Sequence, residues 1–311
     1  MLSKNQSCHK DTKISYMDWN IGSHVEFLGT IYKTVLMNIS KGMRCVQFFM
    51  GSRCNFWERA YINIIDIEET LKICERFPTC IFSHFPYISN LAGSVKNLAW
   101  KDNTKISGRV VRILKSLKYE LGILSNFNNS GVVIHPGNYP DRKKGISTIA
   151  TSINRLRQFI LSHKNSSNIR LLLENSAGSG SSLAVNFVEI KNIMDQVDRD
   201  IINNIGVCID TAHIWGYGEY EISKIEEIER MITDFNKIIG IKNLWLIHLN
   251  DSLVKFGSKK DRHAPLSQGE IWKDDISSLL YLLKWCDRMC IPIVMETVVN
   301  DMFFISTLEN K

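Results

Sequence analysis

The sequence predicts an α/β protein, a single-domain (β/α)8 TIM barrel, and three observations carry that expectation. Eight short β-type runs recur, at residues 21–25, 44–50, 78–84, 131–135, 169–174, 206–210, 244–248 and 292–296. Stretches with helical periodicity separate them, at 30–41, 66–75, 106–124, 147–162, 184–197, 224–239 and 276–289. Apolar runs such as Val132-Val133-Ile134, Leu171-Leu172-Leu173 and Ile293-Val294-Met295 do not alternate with polar residues, as parallel strands buried on both faces require. A doubly wound open sheet is the rival architecture. No G-x-G-x-x-G stands at a first strand–helix turn, however, and the rhythm never breaks.

Taken in order, residues 1–20 are polar and aperiodic, which suggests a flexible arm ahead of a barrel domain spanning 21–311. The first run closes near His24, which would line a pocket. The second leads into F-F-M-G-S-R-C-N-F-W, with Arg53 in the loop. The third ends in His84, followed by Tyr87-Ile88, and the fourth in His135 ahead of Pro136-Gly137. The fifth ends in Glu174, before a Gly/Ser-rich connection at 177–182 that lacks the G-K-[ST] of a phosphate loop. The sixth ends in Asp210, with His213 three residues on, and Gly216-Tyr217-Gly218 reads as a turn. The seventh ends in His248, whose loop carries an extended Asp261-Arg262-His263, and the eighth ends in Glu296.

Active sites of such barrels lie at the C-terminal ends of the strands. Singly, each polar strand end has an ordinary structural account: Glu174 as a helix-cap partner, His135 as a turn residue, Asp210 as a hydrogen-bond acceptor. Together they would crowd five imidazoles and four carboxylates into one small space, a costly burial unless cations compensate it. Imidazole plus carboxylate without cysteine suits zinc, manganese or iron, and nine donors exceed the needs of one ion. A two- or three-metal cluster is implied. Clustered metals without a redox requirement point to hydrolysis, with phosphodiesters as the natural substrate class, although esters and amides are also cut by two-metal sites and the metals alone do not select DNA.

Composition is compatible with this. Of 311 residues, 44% are hydrophobic and 23% charged, ordinary for a soluble protein, and no run is long or apolar enough for a membrane span or a signal peptide. The formal charge of +6 is by itself a weak pointer to nucleic acid. Eight cysteines without a C-x-x-C pair suggest a reducing, intracellular compartment. Cys45, Cys80 and Cys208 are expected to be buried thiols, and Cys286 and Cys290 to pack at i, i+4 on one helix.

The chain resembles the endonuclease IV family of apurinic/apyrimidinic endonucleases from about Ile21 to about Thr297. The match rests on S-H-F-P-Y-I-S-N-L-A, H-P-G, L-E-N-S-A-G-S-G-S-S-L, C-I-D-T-A-H-I-W-G-Y-G, H-L-N-D-S, D-R-H and M-E-T. The resemblance implies three Zn2+ per chain, with Mn2+ an option at the third site. His84 and His135 would hold one ion with Glu174, which bridges to a second held by Asp210, His248 and Glu296; His213, Asp261 and His263 would hold the third. It implies hydrolysis 5′ to an abasic site in duplex DNA, leaving a 3′-hydroxyl and a 5′-deoxyribose phosphate, with trimming of blocked 3′ ends. Glu174 would orient the attacking hydroxide. Arg53, Tyr87 and Ile88 match positions that fill the gap left by a flipped nucleotide, although the Arg53 loop departs from the family's asparagine-containing pattern. Lys259, Lys260, Arg262 and the Asp141-Arg142-Lys143-Lys144 run could meet phosphates.

Members of that family usually act as monomers, and this chain is expected to work without a membrane, in cytoplasm or nucleus. Abundant Lys, Asn and Ile are compatible with an AT-rich genome, that of an intracellular organism or of a DNA virus, in which case the protein would act in host cytoplasm or virion. Two other readings remain open from residues alone. One is a single-metal sugar isomerase or epimerase, which would need only Glu174, Asp210, His248 and Glu296; the other is a non-catalytic DNA-damage binding protein.

Overall fold

The computed structural model describes residues 20–93, 108–297, 301, 304, 305 and 307. The proposed N-terminal arm, apart from Asn20, lies outside the described residues. Seven strands run in chain order as β1 (Ile21–His24), β2 (Cys45–Phe48), β3 (Cys80–His84), β4 (Ser130–Ile134), β5 (Leu171–Glu174), β6 (Ile205–Asp210) and β7 (Leu244–His248). A two-residue antiparallel pair follows, β8 (Asp251–Ser252) with β9 (His263–Ala264), and β10 (Ile293–Met295) is the eighth barrel strand. The eight pair in parallel in the closed order β1-β10-β7-β6-β5-β4-β3-β2. This is the expected (β/α)8 barrel.

Burial on both strand faces explains the unbroken apolar runs. Outward residues such as Val46, Ile81, Val132, Leu171, Val207, Ile247 and Ile293 join the helices in one large core. Inward ones, Cys45, Cys80, Phe82, Val133, Leu172, Cys208, Leu246 and Val294, form a separate plug inside the barrel. Side chains repeat their direction every second residue, so the residue two places beyond each plug residue also faces the lumen, one layer higher. Those residues are Gln47, His84, His135, Glu174, Asp210, His248 and Glu296. The polar layer is thus set by strand parity.

The helices are α1 (Ile31–Ser40), α2 (Ile64–Arg76), α3 (Gly108–Leu124), α4 (Arg142–Asn154), α5 (Arg157–Ser162), α6 (Phe187–Met194), α7 (Thr211–Tyr217), α8 (Ile225–Ile238) and α9 (Ser277–Arg288). Several depart from expectation. Residues 106 and 107 of the third predicted helix lie outside the described residues. The stretch at 147–162 is two helices interrupted at Arg155-Leu156, and α4 starts earlier because the Asp141 side chain caps it by accepting from the Lys144 N–H at 3.0 Å. Gly216 and Tyr217 are not a turn; they end α7, and Gly218 closes it in the left-handed conformation, φ 86°. Cys45, Cys80, Cys208 and Cys286 are buried as expected. Cys290 is instead exposed beyond the end of α9, with φ 53°, so it does not share a helical face with Cys286. Among the described residues no helix is long and apolar enough to cross a membrane.

Candidate metal centre

All nine predicted donors converge at the C-terminal mouth of the barrel. Glu174 lies at their middle, almost wholly buried, and imidazoles meet both of its oxygens. His84 Nε2 and His135 Nε2 stand 3.2 and 3.3 Å from Oε2; His248 Nδ1 and His213 Nδ1 stand 2.9 and 3.6 Å from Oε1. His248 Nδ1 also approaches Asp210 Oδ2 at 4.0 Å and Glu296 Oε2 at 3.9 Å. Two compact donor groups, His84/His135/Glu174 and Glu174/Asp210/His248, share the Glu174 carboxylate, and His84/His248/Glu296 makes a third beside them.

Asp210, His213 and His263 form a fourth group. Asp261, 49% exposed at its side chain, reaches in from the loop with Oδ2 at 3.1 Å from His213 Nε2 and Oδ1 at 3.1 Å from His263 Nε2. The expected extension of Asp261-Arg262-His263 is present in part: His263 begins β9, opposite Ser252, and that pairing folds the loop back over the mouth. His263 Nε2 is buried and makes no hydrogen bond of acceptable geometry, despite its short distance to Asp261. Nitrogen and oxygen donors so close together suit a cation between them.

The electrostatics without cations point the same way. Burial alone would raise the Glu174 carboxyl, but His135 and His248, with hydrogen bonds from His248 and His84, hold it well below the usual range. Burial likewise opposes a charged His213, yet Asp210, Asp261 and Glu174 outweigh it and lift the imidazole to about 10; Asp210, Asp261 and Glu296 similarly lift His263 to about 9. Against burial, His248 and His263 hold Glu296 down at about 2. His135, where burial dominates, falls to about 4. Protons therefore sit on imidazoles that divalent cations would otherwise occupy. The donor set fits such cations.

Residues 40–298 match the family described as xylose isomerase-like TIM barrel. A protein of Halothermothrix orenii named probable endonuclease 4 is 32% identical over 284 residues, covering 89% of this chain and 92% of that protein. The apurinic-apyrimidinic endonuclease 1 of Plasmodium berghei is 30% identical over 292 residues, covering 90% of this chain and 52% of that protein. The crystal structure of endonuclease IV from Thermus thermophilus superposes with a TM-score of 0.72 at 20% identity, over 93% of this chain and 98% of that one. The chain belongs to the endonuclease IV family. Membership makes it an enzyme of a metal-dependent phosphodiesterase family.

Sequence reasoning missed the amides that orient the donors in this endonuclease IV chain. Gln47 Oε1 accepts from His248 Nε2 at 2.9 Å, while Gln47 Nε2 lies 3.0 Å from His24 Nδ1 and 3.3 Å from Glu296 Oε1. Asn250 Nδ2 donates to Asp210 Oδ2 at 2.7 Å and to Glu296 Oε2 at 3.0 Å, and its Oδ1 accepts from the Glu296 N–H. The Asn175 carbonyl oxygen lies 2.9 Å from His213 Nδ1. Gln47 is visible in the sequence as the lone polar residue of the run C-V-Q-F; Asn250 and Asn175 leave no such signal. His24 lines the mouth as expected, and burial lowers its imidazole to about 3.

The predicted DNA-contact residues of this family member ring the mouth. Arg53 is exposed, and its carbonyl accepts from the Tyr87 N–H at 3.2 Å, which ties the two loops together. Tyr87 is half-exposed with its ring 5.0 Å from that of His84, and Ile88 beside it is also exposed. Lys259, Lys260 and Arg262 are exposed on the opposite loop. Arg142 is otherwise engaged, paired with Glu189 through Nε at 2.5 Å and Nη2 at 2.6 Å, so it is not the free phosphate contact the sequence suggested.

Proposed function

We propose that the protein is an apurinic/apyrimidinic endonuclease of base excision repair, dependent on three Zn2+ per chain, the third replaceable by Mn2+. It hydrolyses the phosphodiester 5′ to an abasic site in duplex DNA, leaving a 3′-hydroxyl and a 5′-deoxyribose phosphate, and trims blocked 3′ ends as a monomer. The observation that carries the reading is the placement of four imidazoles around the two oxygens of one buried carboxylate, Glu174. A single-metal sugar site would leave His84, His135, His213 and His263 without employment.

In this reading His84 and His135 would hold one cation with Glu174, Asp210, His248 and Glu296 would hold a second shared with that carboxylate, and His213, Asp261 and His263 would hold the third. When bound, the cations supply Lewis acidity, making a nucleophile of water near neutral pH and offsetting charge on the departing 3′-oxygen. Glu174 orients the attacking water in line with that oxygen. Gln47 and Asn250 fix His248, Asp210 and Glu296 so that their lone pairs face the cluster. Tyr87 and Ile88, with Arg53 beside them, fill the gap left by the flipped abasic nucleotide, and Lys259, Lys260 and Arg262 meet flanking phosphates.

The test is incision of a duplex containing one tetrahydrofuran abasic analogue. That analogue has no route to β-elimination, so cleavage leaving a 3′-hydroxyl reports hydrolysis. Intact substrate after incubation with zinc-loaded protein would refute the proposal.

A further inference from the structure

At the opposite end of the barrel, where the strands begin, a cavity of 330 Å³ opens among Arg170, Lys242, Trp245, Asn129, Met289 and Ile291. That is at the lower end of the roughly 300–1,000 Å³ typical of small-molecule sites. Its walls are mixed: aliphatic side chains from the segments entering β7 and β10, an amide from Asn129, and two cationic side chains. Neither Arg170 nor Lys242 has a carboxylate within 4.0 Å among the described residues. Arg170 is only partly exposed. A guanidinium so placed has no counterion of its own and can take an anion in its planar fork.

Three backbone features prepare this arrangement. The β6–β7 ladder pairs Val207 with Leu244 and Cys208 with Leu246, leaving Trp245 out of register in a bulge that redirects its side chain toward the barrel base. The indole then lies against Gly206, where a Cβ would stand 2.2 Å from its Cδ2 atom. Its Nε1 donates to the Lys242 carbonyl at 3.0 Å, which fixes the ring beside that lysine. The Arg170 guanidinium lies over the indole, 5.4 Å from the ring. Gly131 lets Leu172 and the Arg170 backbone approach closely, since a Cβ there would stand 2.5 Å from Leu172 Cδ1 and 3.0 Å from the Arg170 carbonyl oxygen.

We propose that this cavity at the barrel base is a second binding site, for a small organic oxyanion with a phosphate or carboxylate head and a compact apolar body. Arg170, oriented by Trp245, grips the head in its planar fork, Lys242 adds a second positive charge, and the aliphatic wall takes the body. The site is separate from the metal centre, because its residues mostly precede the strands or, like Cys80, Leu244 and Trp245, stand at their beginnings, whereas the metal donors stand at the C-terminal ends of the barrel strands or beyond them.

Phenyl phosphate, benzoate, inorganic phosphate and phenol would be titrated against the zinc-loaded full chain, with binding followed by tryptophan fluorescence and calorimetry. Phenyl phosphate or benzoate is expected to bind and to change fluorescence, with the better of the two identifying the head group; phenol and inorganic phosphate are expected to bind more weakly. Arg170→Gln should weaken the preferred ligand by about tenfold or more, and the fluorescence change should vanish in Trp245→Phe. Lys242→Gln, which removes no buried group, should weaken it in the same direction. Incision of abasic duplex should be unchanged in all three variants. Equal binding by wild type, Arg170→Gln and Lys242→Gln would overturn the proposal, since the anion would then be held at the metals; so would an absence of binding by both organic anions. Neither result bears on the endonuclease reading, which the incision assay tests alone.

Discussion

Replacing Glu174 with glutamine tests the centre at its most connected point. The substitution keeps volume and shape but removes the charge and turns one acceptor oxygen into an NH2 donor. Both oxygens are engaged, Oε2 by His84 and His135 at 3.2 and 3.3 Å and Oε1 by His248 at 2.9 Å, so the new donor must face a nitrogen or cation whichever way the amide turns. At 1% exposure water cannot relieve the conflict. Removing one member of a buried charge pair costs about 3–5 kcal/mol, which is roughly two to nearly four decades in rate if the loss is felt in the transition state. Single-turnover incision of the tetrahydrofuran duplex, at saturating protein, is therefore expected to fall by at least about a hundredfold. Elemental analysis should show fewer retained cations, while circular dichroism shows an intact fold. If Glu174→Gln keeps most of its incision rate with full metal content, the shared carboxylate is not what assembles this site.

Three further predictions concern the metals and their supports. His213 and His263 titrate at about 10 and about 9 in the metal-free protein, against an ordinary value of 6.5, so their contribution to stability is complete below about 6.5 and is lost as pH rises through 9 to 10. Melting of chelator-treated protein should accordingly fall across that alkaline window, and zinc uptake near neutral pH should release protons, seen as a dependence of the calorimetric heat on buffer ionisation; a buffer-independent heat would contradict this. Asn250→Leu removes donors to Asp210 and Glu296, and Gln47→Leu removes the partner of His248 Nε2. Each should lower zinc affinity or incision by about 10- to 100-fold, and competition against a fluorescent chelator would detect a null effect.

Much of this was legible in the chain because a closed parallel barrel has few ways to arrange its side chains. Once eight apolar runs are recognised, parity alone decides which residue of each run faces the lumen. Phe82 predicts His84, Leu172 predicts Glu174 and Cys208 predicts Asp210, each two residues higher on the same side. The same rule applied to Cys45 leads to Gln47, which is easily passed over because an amide is a weaker chemical signal than an imidazole. Contacts fixed by three dimensions left no trace of this kind. The buried Arg59–Glu120 pair, 2.8 Å apart, joins the β2–α2 loop to α3 across 61 residues, and Ser83 Oγ donates to the same carboxylate at 2.6 Å. Nothing in the local pattern of either residue announces it.

Asp210 shows why an ordinary structural account and a chemical one need not compete. Its Oδ1 accepts from the His213 N–H at 2.9 Å, the usual N-cap bond that starts a helix, while Oδ2 points into the donor cluster and accepts from Asn250. The cap is what makes α7 begin abruptly after β6, and a helix that begins there carries the residue three positions on back toward the same mouth. His213 arrives beside Glu174, Asp261 and His263 for that reason. Removing the carboxylate would therefore disturb two groups of donors at once, one directly and one through the first turn of α7. Asp210→Asn separates the roles, because an amide oxygen can still cap the helix while the charge is gone. Helix α7 should persist by amide hydrogen exchange in this variant while incision falls by about a hundredfold or more; a variant that keeps its activity would leave Asp210 a capping residue only.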